Sequence, residues 1–323
     1  MCQARGKRGL GAASRLRSLA SPTGTPATLQ KVRESTSPAE EWQYRKAVAS
    51  LFALLSSLTG GSASFLGGLT TRRLSVYAVT GFGALFAGLI YALVLTGQHS
   101  WSLSGPEVAW GAVSGVCALI GNLAFYTALS KGRMGVISGI TSLSVLVPIA
   151  FDVVQGIYPN PGQLLGIAAC IGGVIFVSAP ELRGSQTGAM PLVLAAVATV
   201  SYGLIFVTLG LGSESSALET SAVMEATIVI PLAIAAIFTR SLGGVSKRIM
   251  LVLLAIGFLD AASTWSYSFS TTIGMVALDS VLASLAPVIT TILAAVILKQ
   301  VLKPVQYMAI LVILAGVALV TLA

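Results

Sequence analysis

The stretch Met275-Val-Ala-Leu-Asp-Ser-Val-Leu-Ala-Ser-Leu-Ala-Pro-Val-Ile-Thr-Thr-Ile-Leu-Ala-Ala-Val-Ile-Leu298 decides the fold. It holds no Lys or Arg, and a helix that crosses a bilayer core needs ~20 predominantly apolar residues. Nine more runs of this kind surround it: Ala47–Thr70, Ser75–Thr96, Val108–Leu129, Met134–Gln155, Gly162–Ala179, Ala189–Leu211, Ser221–Thr239, Ile249–Thr271 and Pro304–Leu322. None of them contains Lys or Arg. A membrane barrel would instead show alternating segments of about ten residues. The expected fold is therefore an all-α integral membrane protein with ten transmembrane helices. These runs are rich in Gly, Ala, Ser and Thr, which let helix backbones approach closely in lipid.

Ser284-Leu285 in the middle of that stretch has an earlier partner in Ser142-Leu143, at an offset of 142. Ser56 to Gly61 lines up with Ala198 to Gly203 at the same offset, and Gln163 and Gly173 match Gln306 and Gly316 at 143. Each copy holds five runs, and an odd number per copy turns the second copy upside down. Inverted repeats are a mark of secondary transporters, with the substrate site near the midplane between them. The expected organisation is a basic tail over residues 1–46, a first five-helix repeat over 47–182 and a second over 183–323.

Charge supports the same class. Charged residues are 9% of the chain and hydrophobic ones 55%. An average soluble domain is about 25% charged, so a water-soluble globule is excluded. The net charge of +8 is uneven: residues 1–46 hold nine Lys/Arg and three Glu, whereas 47–323 hold ten and eight. The tail fits a disordered cytosolic extension, an organelle transit peptide, or a leader upstream of an internal start near Val48. The ten remaining basic residues all fall in the loops after the first, third, fifth, seventh and ninth runs. By the preference of such loops for the cytoplasm, both termini would lie outside. The basic tail pulls the other way, and the side stays open. The charge is thus a topology signal, and no nucleic-acid partner is expected.

Three Cys (Cys2, Cys117, Cys170) and a single His99 leave no disulfide framework and no cluster of metal-ligand spacing. No HExxH or Walker-type run is present. No cofactor, no metal and no enzymatic activity are expected.

Further sequence features carry a resemblance. Leu54-Leu55-Ser56-Ser57 through Gly61-Ser62-Ala63-Ser64-Phe65-Leu66-Gly67-Gly68, Ala128-Leu129-Ser130-Lys131-Gly132, and Ser284-Leu285-Ala286-Pro287-Val288-Ile289-Thr290 followed by Gln306 and Ala315-Gly316-Val317-Ala318-Leu319 occur in that order. In this the chain resembles the EamA-like transporters of the drug/metabolite transporter superfamily, over roughly residues 50–322. The resemblance implies a transporter with the two-repeat fold. The chain departs from the family where Gly-Glu is usual, reading Gly156-Ile157 and Lys299-Gln300. It also has Gly60 where Trp is usual, and Ser64 where Asp often precedes the Phe.

Ionisable groups within a membrane are costly, on the order of 2.5–3.5 kcal/mol at a helix centre on insertion scales. Four carboxyls lie within the runs. Asp152, Glu225 and Asp279 lie near run ends and read as interfacial, solvated groups. Asp260 lies near the midplane, with Thr264 and Tyr267 on its face, and is the first candidate for solute binding or proton coupling. Asn122 and Tyr126 on the third run, Tyr202 and Trp265 are further candidates for lining a cavity. Trp42, Trp101 and Trp110 read as interfacial anchors. Pro148 and Pro287 interrupt their runs and are candidate kinks or gating bends.

The reading is a secondary transporter that moves a small organic solute by alternating access, as exporter, exchanger or proton-coupled carrier. Its partners are that solute and the lipid bilayer, and it is a monomer or a homodimer. The plasma membrane is the expected location, or an organelle membrane if the tail is a transit peptide. An integral membrane enzyme acting on a lipid-linked substrate and a non-transporting scaffold are the alternatives.

Overall fold

The computed structural model describes residues 38–99, 105–132, 134–156, 158–182, 189–239, 246–274 and 276–297, with scattered helical residues after 303. Residues 46–323 make up one unit. The tail up to residue 37, Trp101 and most of the last apolar run lie outside the described residues. Every regular element among the described residues is helical: α1 (Pro38–Thr70), α2 (Val76–Gln98), α3 (Pro106–Lys131), α4 (Met134–Thr141), α5 (Leu146–Val154), α6 (Pro161–Leu182), α7 (Ala189–Thr239), α8 (Lys247–Ile273), α9 (Val276–Ala283) and α10 (Ala286–Ile297). A 3₁₀ turn, Ser142–Val145, joins α4 to α5.

Local chemistry sets the ends. Ser75 caps α2 by accepting from the Ala78 N–H, and Ser246 caps α8 by accepting from Ile249. At α6, Asn160 Oδ1 accepts from the Gln163 N–H while Gln163 Oε1 accepts from the Asn160 N–H. This reciprocal capping box, with Pro161 at the first helical position, satisfies donors the helix cannot. It also gives the repeat-marking Gln163 a structural role.

Among the described residues, five helices are long and apolar enough to cross a membrane: Trp42–Thr70, Val76–Gln98, Pro106–Lys131, Ala189–Ala236 and Lys247–Ile273. That differs from ten separate continuous runs in two ways. First, α7 spans 51 residues but is not one rod. Ser216 is extended (φ −158°, ψ 110°) inside it, and its Oγ accepts from the Glu219 N–H at 3.3 Å to cap a new helix. The neighbours show that the chain turns back there. Along α3, Gly121 meets Ser201 and Tyr202, and Ser114 Oγ bonds Thr208 Oγ1 at 2.7 Å. That first arm therefore runs antiparallel to α3. Gly111 meets Thr220 and Val223, while Gly115 meets Met224 and Thr227, so the second arm runs parallel to it.

Second, the runs Met134–Gln155 and Met275–Leu298 are discontinuous. The first is α4, the 3₁₀ turn and α5; the second is α9, a turn at Ser284-Leu285, and α10. The interruptions precede Pro148 and Pro287 instead of falling on them. Each proline then sits in the first turn of a new helix, where its missing N–H has no intrahelical partner to lose.

The contacts obey the repeat offset. A Cβ at Gly61 of α1 would stand 2.5 Å from the Ala286 carbonyl oxygen and 2.7 Å from Ile289 Cβ. At Gly203, the mate of Gly61, it would stand 2.7 Å from the Ser144 carbonyl oxygen and 2.6 Å from Val147 Cβ. Ser144 and Val147 are in turn the mates of Ala286 and Ile289 at the same offset. Gly115 on Met224 and Thr227 is matched, to within one position, by Gly257 on Gly83 and Phe86. Exchange of equivalent contacts between two halves is what a pseudo-two-fold axis produces. Each repeat's opening helix packs its glycine against the broken helix of the other.

Candidate solute-binding site

Both broken helices open onto one cavity of about 140 Å³. Ser64 lines it from α1 and Phe125 from α3. Ser138, Thr141 and Ser144 come from α4 and the 3₁₀ turn, and Tyr202, Ile205 and Phe206 from the first arm of α7. Ala283, Ser284, Ala286 and Thr290 come from the second interruption. Ser64 and Phe206, Thr141 and Ala283, and Ser144 and Ala286 are mates at the repeat offset. The cavity thus lies on the pseudo-two-fold axis.

The lining is neutral. Ser138 Oγ is buried and has no hydrogen-bond partner among the described residues. Three other lining hydroxyls are committed: Thr141 Oγ1 donates to the Ile137 and Ser138 carbonyls, Ser284 Oγ to Val281 O, and Thr290 Oγ1 to Gly61 O at 2.9 Å. The aromatic wall is held from behind. The Tyr202 hydroxyl donates to Asn122 Oδ1 at 2.9 Å, and the Phe125 ring meets Tyr202 edge-on at 5.6 Å. The Tyr267 hydroxyl donates to the Phe206 carbonyl at 2.8 Å, its ring 4.9 Å from that of Phe206. Such wall-to-wall bonds fix rotamers, as a binding site needs.

The candidate residues divide. Tyr202 lines the cavity, with Asn122 directly behind it. Tyr267 braces the Phe206 wall. Tyr126 is buried beside Phe125 and fills the space left by Gly67. Trp265 is stacked on Phe269 and set edge-on to Phe52, away from the cavity. Asp260 and Thr264 face elsewhere. Thr264 and Ser221 reach the Tyr91 hydroxyl, which donates to Ala261 O at 2.6 Å. Asp260 acts electrostatically on Glu225, Tyr91, Tyr126 and Tyr202. Pro148 is buried in α5. The three outlying carboxyls are not solvated: Asp152 is 6% exposed, Asp279 2% and Glu225 0%. Packing of helix on helix covers them, which distance from a run end does not reveal. Trp42 and Trp110 are exposed. Sequence reasoning missed Ser138, Thr141 and Ser144, although their spacing of three along one run was a signal for a polar helix face. Among the described residues no group of three or more His, Cys, Asp or Glu could hold a metal ion.

The family model for the EamA-like transporter family matches residues 47–179 and again 189–322. The chain belongs to the EamA-like transporter family. It is thus a multi-pass membrane protein of the drug/metabolite transporter superfamily, whose members are transporters rather than enzymes. A solved structure described as "Crystal structure of protein" matches at 17% sequence identity and a TM-score of 0.72, covering 85% of this chain and 97% of the other. That likeness supports the fold. No curated protein matches the chain. Ser64, where the family often has Asp, belongs to the cavity wall and keeps it uncharged.

Proposed function

We propose that this chain is a ten-helix secondary carrier of two inverted five-helix repeats, moving a small, uncharged, ring-bearing organic solute by alternating access. The observation that carries this is the cavity on the pseudo-two-fold axis, walled by both helix interruptions. Irregular backbone at membrane depth is tolerated where it lines a cavity. Discontinuous helices at a repeat interface are where carriers hold their substrates. The solute class follows from the lining. Among the described residues no carboxyl or basic group lines the cavity, so an ion would lose its hydration without compensation. Phe125, Tyr202 and Phe206 offer ring faces, and Ser138 Oγ offers one uncommitted polar contact. In other protein interiors a cavity of about 150 Å³ holds a benzene-sized molecule, which sets the scale. Opening to either side requires the two halves of each broken helix to move relative to the glycine that packs on it.

The test is a thermal-shift screen of neutral aromatic metabolites on the purified protein, followed by uptake of the stabilising compound into proteoliposomes. Removing the Ser138 hydroxyl deletes one hydrogen bond, typically about 0.5–1.5 kcal/mol. Ser138→Ala should therefore weaken binding roughly 3- to 10-fold while leaving the unliganded melting temperature nearly unchanged. A panel with no stabilising member, or equal affinity in wild type and Ser138→Ala, would refute the assignment.

A further inference from the structure

Glu225, on the second arm of α7, is the most isolated charge-bearing group of the described residues. Its side chain is 0% exposed and neither carboxyl oxygen has a hydrogen-bond partner among them. Its Cβ packs at the Gly88 position of α2. No Lys or Arg exists within any apolar run, so no basic residue at this depth can neutralise it. An unpaired carboxylate away from water is prohibitively costly. Its charge has to be cancelled by a bound proton or a bound cation.

The surroundings favour the proton. A metal cation wants several oxygen ligands, and the groups facing Glu225 are few. From α2 comes Tyr91, whose hydroxyl already donates to Ala261 O. From its own helix comes Ser221, paired with Ser268 at 3.3 Å. From α8 come Asp260 and, through the Tyr91 hydroxyl, Thr264. Of the remaining carboxyls of these elements, Glu107 on α3 and Glu219 on α7 are held by interactions of their own, and Glu214 on α7 is exposed.

Asp260 has a second set of neighbours. It acts electrostatically on Tyr126 and on Tyr202, and Tyr202 lines the cavity. Asp260 is therefore linked electrostatically both to Glu225 and to the Tyr202 that lines the cavity. The pair is also one-sided. At the repeat offset, Glu225 corresponds to Gly83 and Asp260 to Ala118, so the first repeat carries no equivalent. A feature that breaks the symmetry of the fold, and that burial makes expensive, is not explained by packing.

We propose that Glu225 and Asp260 form a proton-binding pair beside the cavity, loaded and emptied during the transport cycle. A proton arriving from the cavity side forms an O–H bond on the Asp260 carboxylate and passes to a Glu225 carboxylate oxygen as the first O–H bond breaks. On unloading it returns through the same oxygens. With one proton, the pair carries a single negative charge, on the member nearer the cavity. A neutral solute could then be driven by a proton gradient although no charge lines its cavity. This role rests on the carrier reading above, whereas proton binding itself does not.

The experiment is an infrared pH titration, in lipid nanodiscs, of wild type, Glu225→Gln, Asp260→Asn and, as control, Asp279→Asn. The probe is the proton, read at the carbonyl stretch of protonated carboxyl groups. Wild type should show buried carboxylic absorption with a component band that Glu225→Gln removes and Asp279→Asn spares, the buried Asp279 contributing a component of its own. Asp260→Asn should keep the band but move its titration midpoint, because interacting carboxyls titrate as a pair. If Glu225→Gln fails to assemble, Asp260→Asn decides alone. A band unaffected by Glu225→Gln, or a midpoint unmoved by Asp260→Asn, overturns the pair. Thermal stabilisation of the wild type by neutral aromatic metabolites separates the two ideas: a wild type that lacks the band but is stabilised refutes the pair only, and one that shows the band but is not stabilised refutes the carrier reading only.

Discussion

At Gly61 a methyl group is the difference between two helices touching and two helices held apart. The nearest atoms to an added Cβ are backbone, the Ala286 carbonyl oxygen, and the stiff Cβ of Ile289. Neither can swing away as a flexible side-chain end would. Gly61→Ala should therefore lower stability by about 1–3 kcal/mol, the usual range for overpacking. It should also loosen the Thr290 bond to Gly61 O. Gly97→Ala is the contrasting case. Nothing lies within 4 Å of its added Cβ, and alanine is the better helix former by up to about 1 kcal/mol. Thermal unfolding in detergent should show a clear loss for the first and none for the second; equal melting temperatures would remove the close-approach argument. This scale is only partly legible in the sequence. Small residues at 61 and 203 are visible as a repeat, but which atoms they face is a tertiary fact. Likewise Asn122 and Tyr202, on runs far apart in the chain, each read only as a candidate for lining a cavity. Only the packing of α3 on α7 makes them partners of each other.

For elements, the informative failures are the interruptions. The polar cluster Gly212-Ser-Glu-Ser-Ser216 announces a break between two apolar runs, and the structure places the extended residue within it. At Ser142–Val145 and Ser284-Leu285 no such cluster exists. Ser and Leu are ordinary in helices, so propensity cannot foretell a break there. Proline two or three positions later is visible and reads as the kink itself, whereas it stabilises the start of the next helix. What sets these two places apart is tertiary: the glycine of a helix from the other repeat packs against each break, Gly203 against Ser144 and Gly61 against Ala286. The break in α7 is local and so can be tested locally. Ser216→Ala removes the oxygen that accepts from the Glu219 N–H, a loss of about 1 kcal/mol for an N-cap. Ser216→Asn, a comparable cap, should restore it. Calorimetric or fluorescence melting in detergent should show the alanine variant less stable than both wild type and the asparagine variant; an alanine variant of unchanged stability would mean that the turn is held by packing around Gly212 alone.

Over the whole molecule, helix directions turn scattered charges into two faces. Lys131 Nζ meets Met190 Sδ at 3.8 Å, so the end of α3 and the start of α7 share a face. The second arm of α7 returns to it, because it runs parallel to α3. On that arm, Leu232 lies beside Gly81 of α2 and Glu225 beside Gly88, which brings the start of α2, and Arg72 and Arg73 just before it, to the same side. α8 runs parallel to α2, with Gly83 and Phe86 beside Gly257 and Tyr91 bonded to Ala261, and so adds Lys247 and Arg248. Glu107, Glu214 and Glu219 belong to the opposite face. Short loops rich in Lys/Arg stay cytoplasmic, so the basic face should be the inner one. Cysteine labelling checks this together with the folding back of α7. In a chain with Cys2, Cys117 and Cys170 replaced, a membrane-impermeant maleimide added outside intact cells should label Glu214→Cys. It should reach Met190→Cys and Lys247→Cys only after permeabilisation. An unbroken helix of 51 residues would be about 75 Å long at 1.5 Å per residue, more than twice a bilayer core, and would put positions 190 and 247 on opposite sides. Labelling of those two from different sides would therefore refute the hairpin. Labelling of both from outside, with position 214 protected, would keep the hairpin but show that the loop charges do not set the orientation, leaving that role to the basic tail.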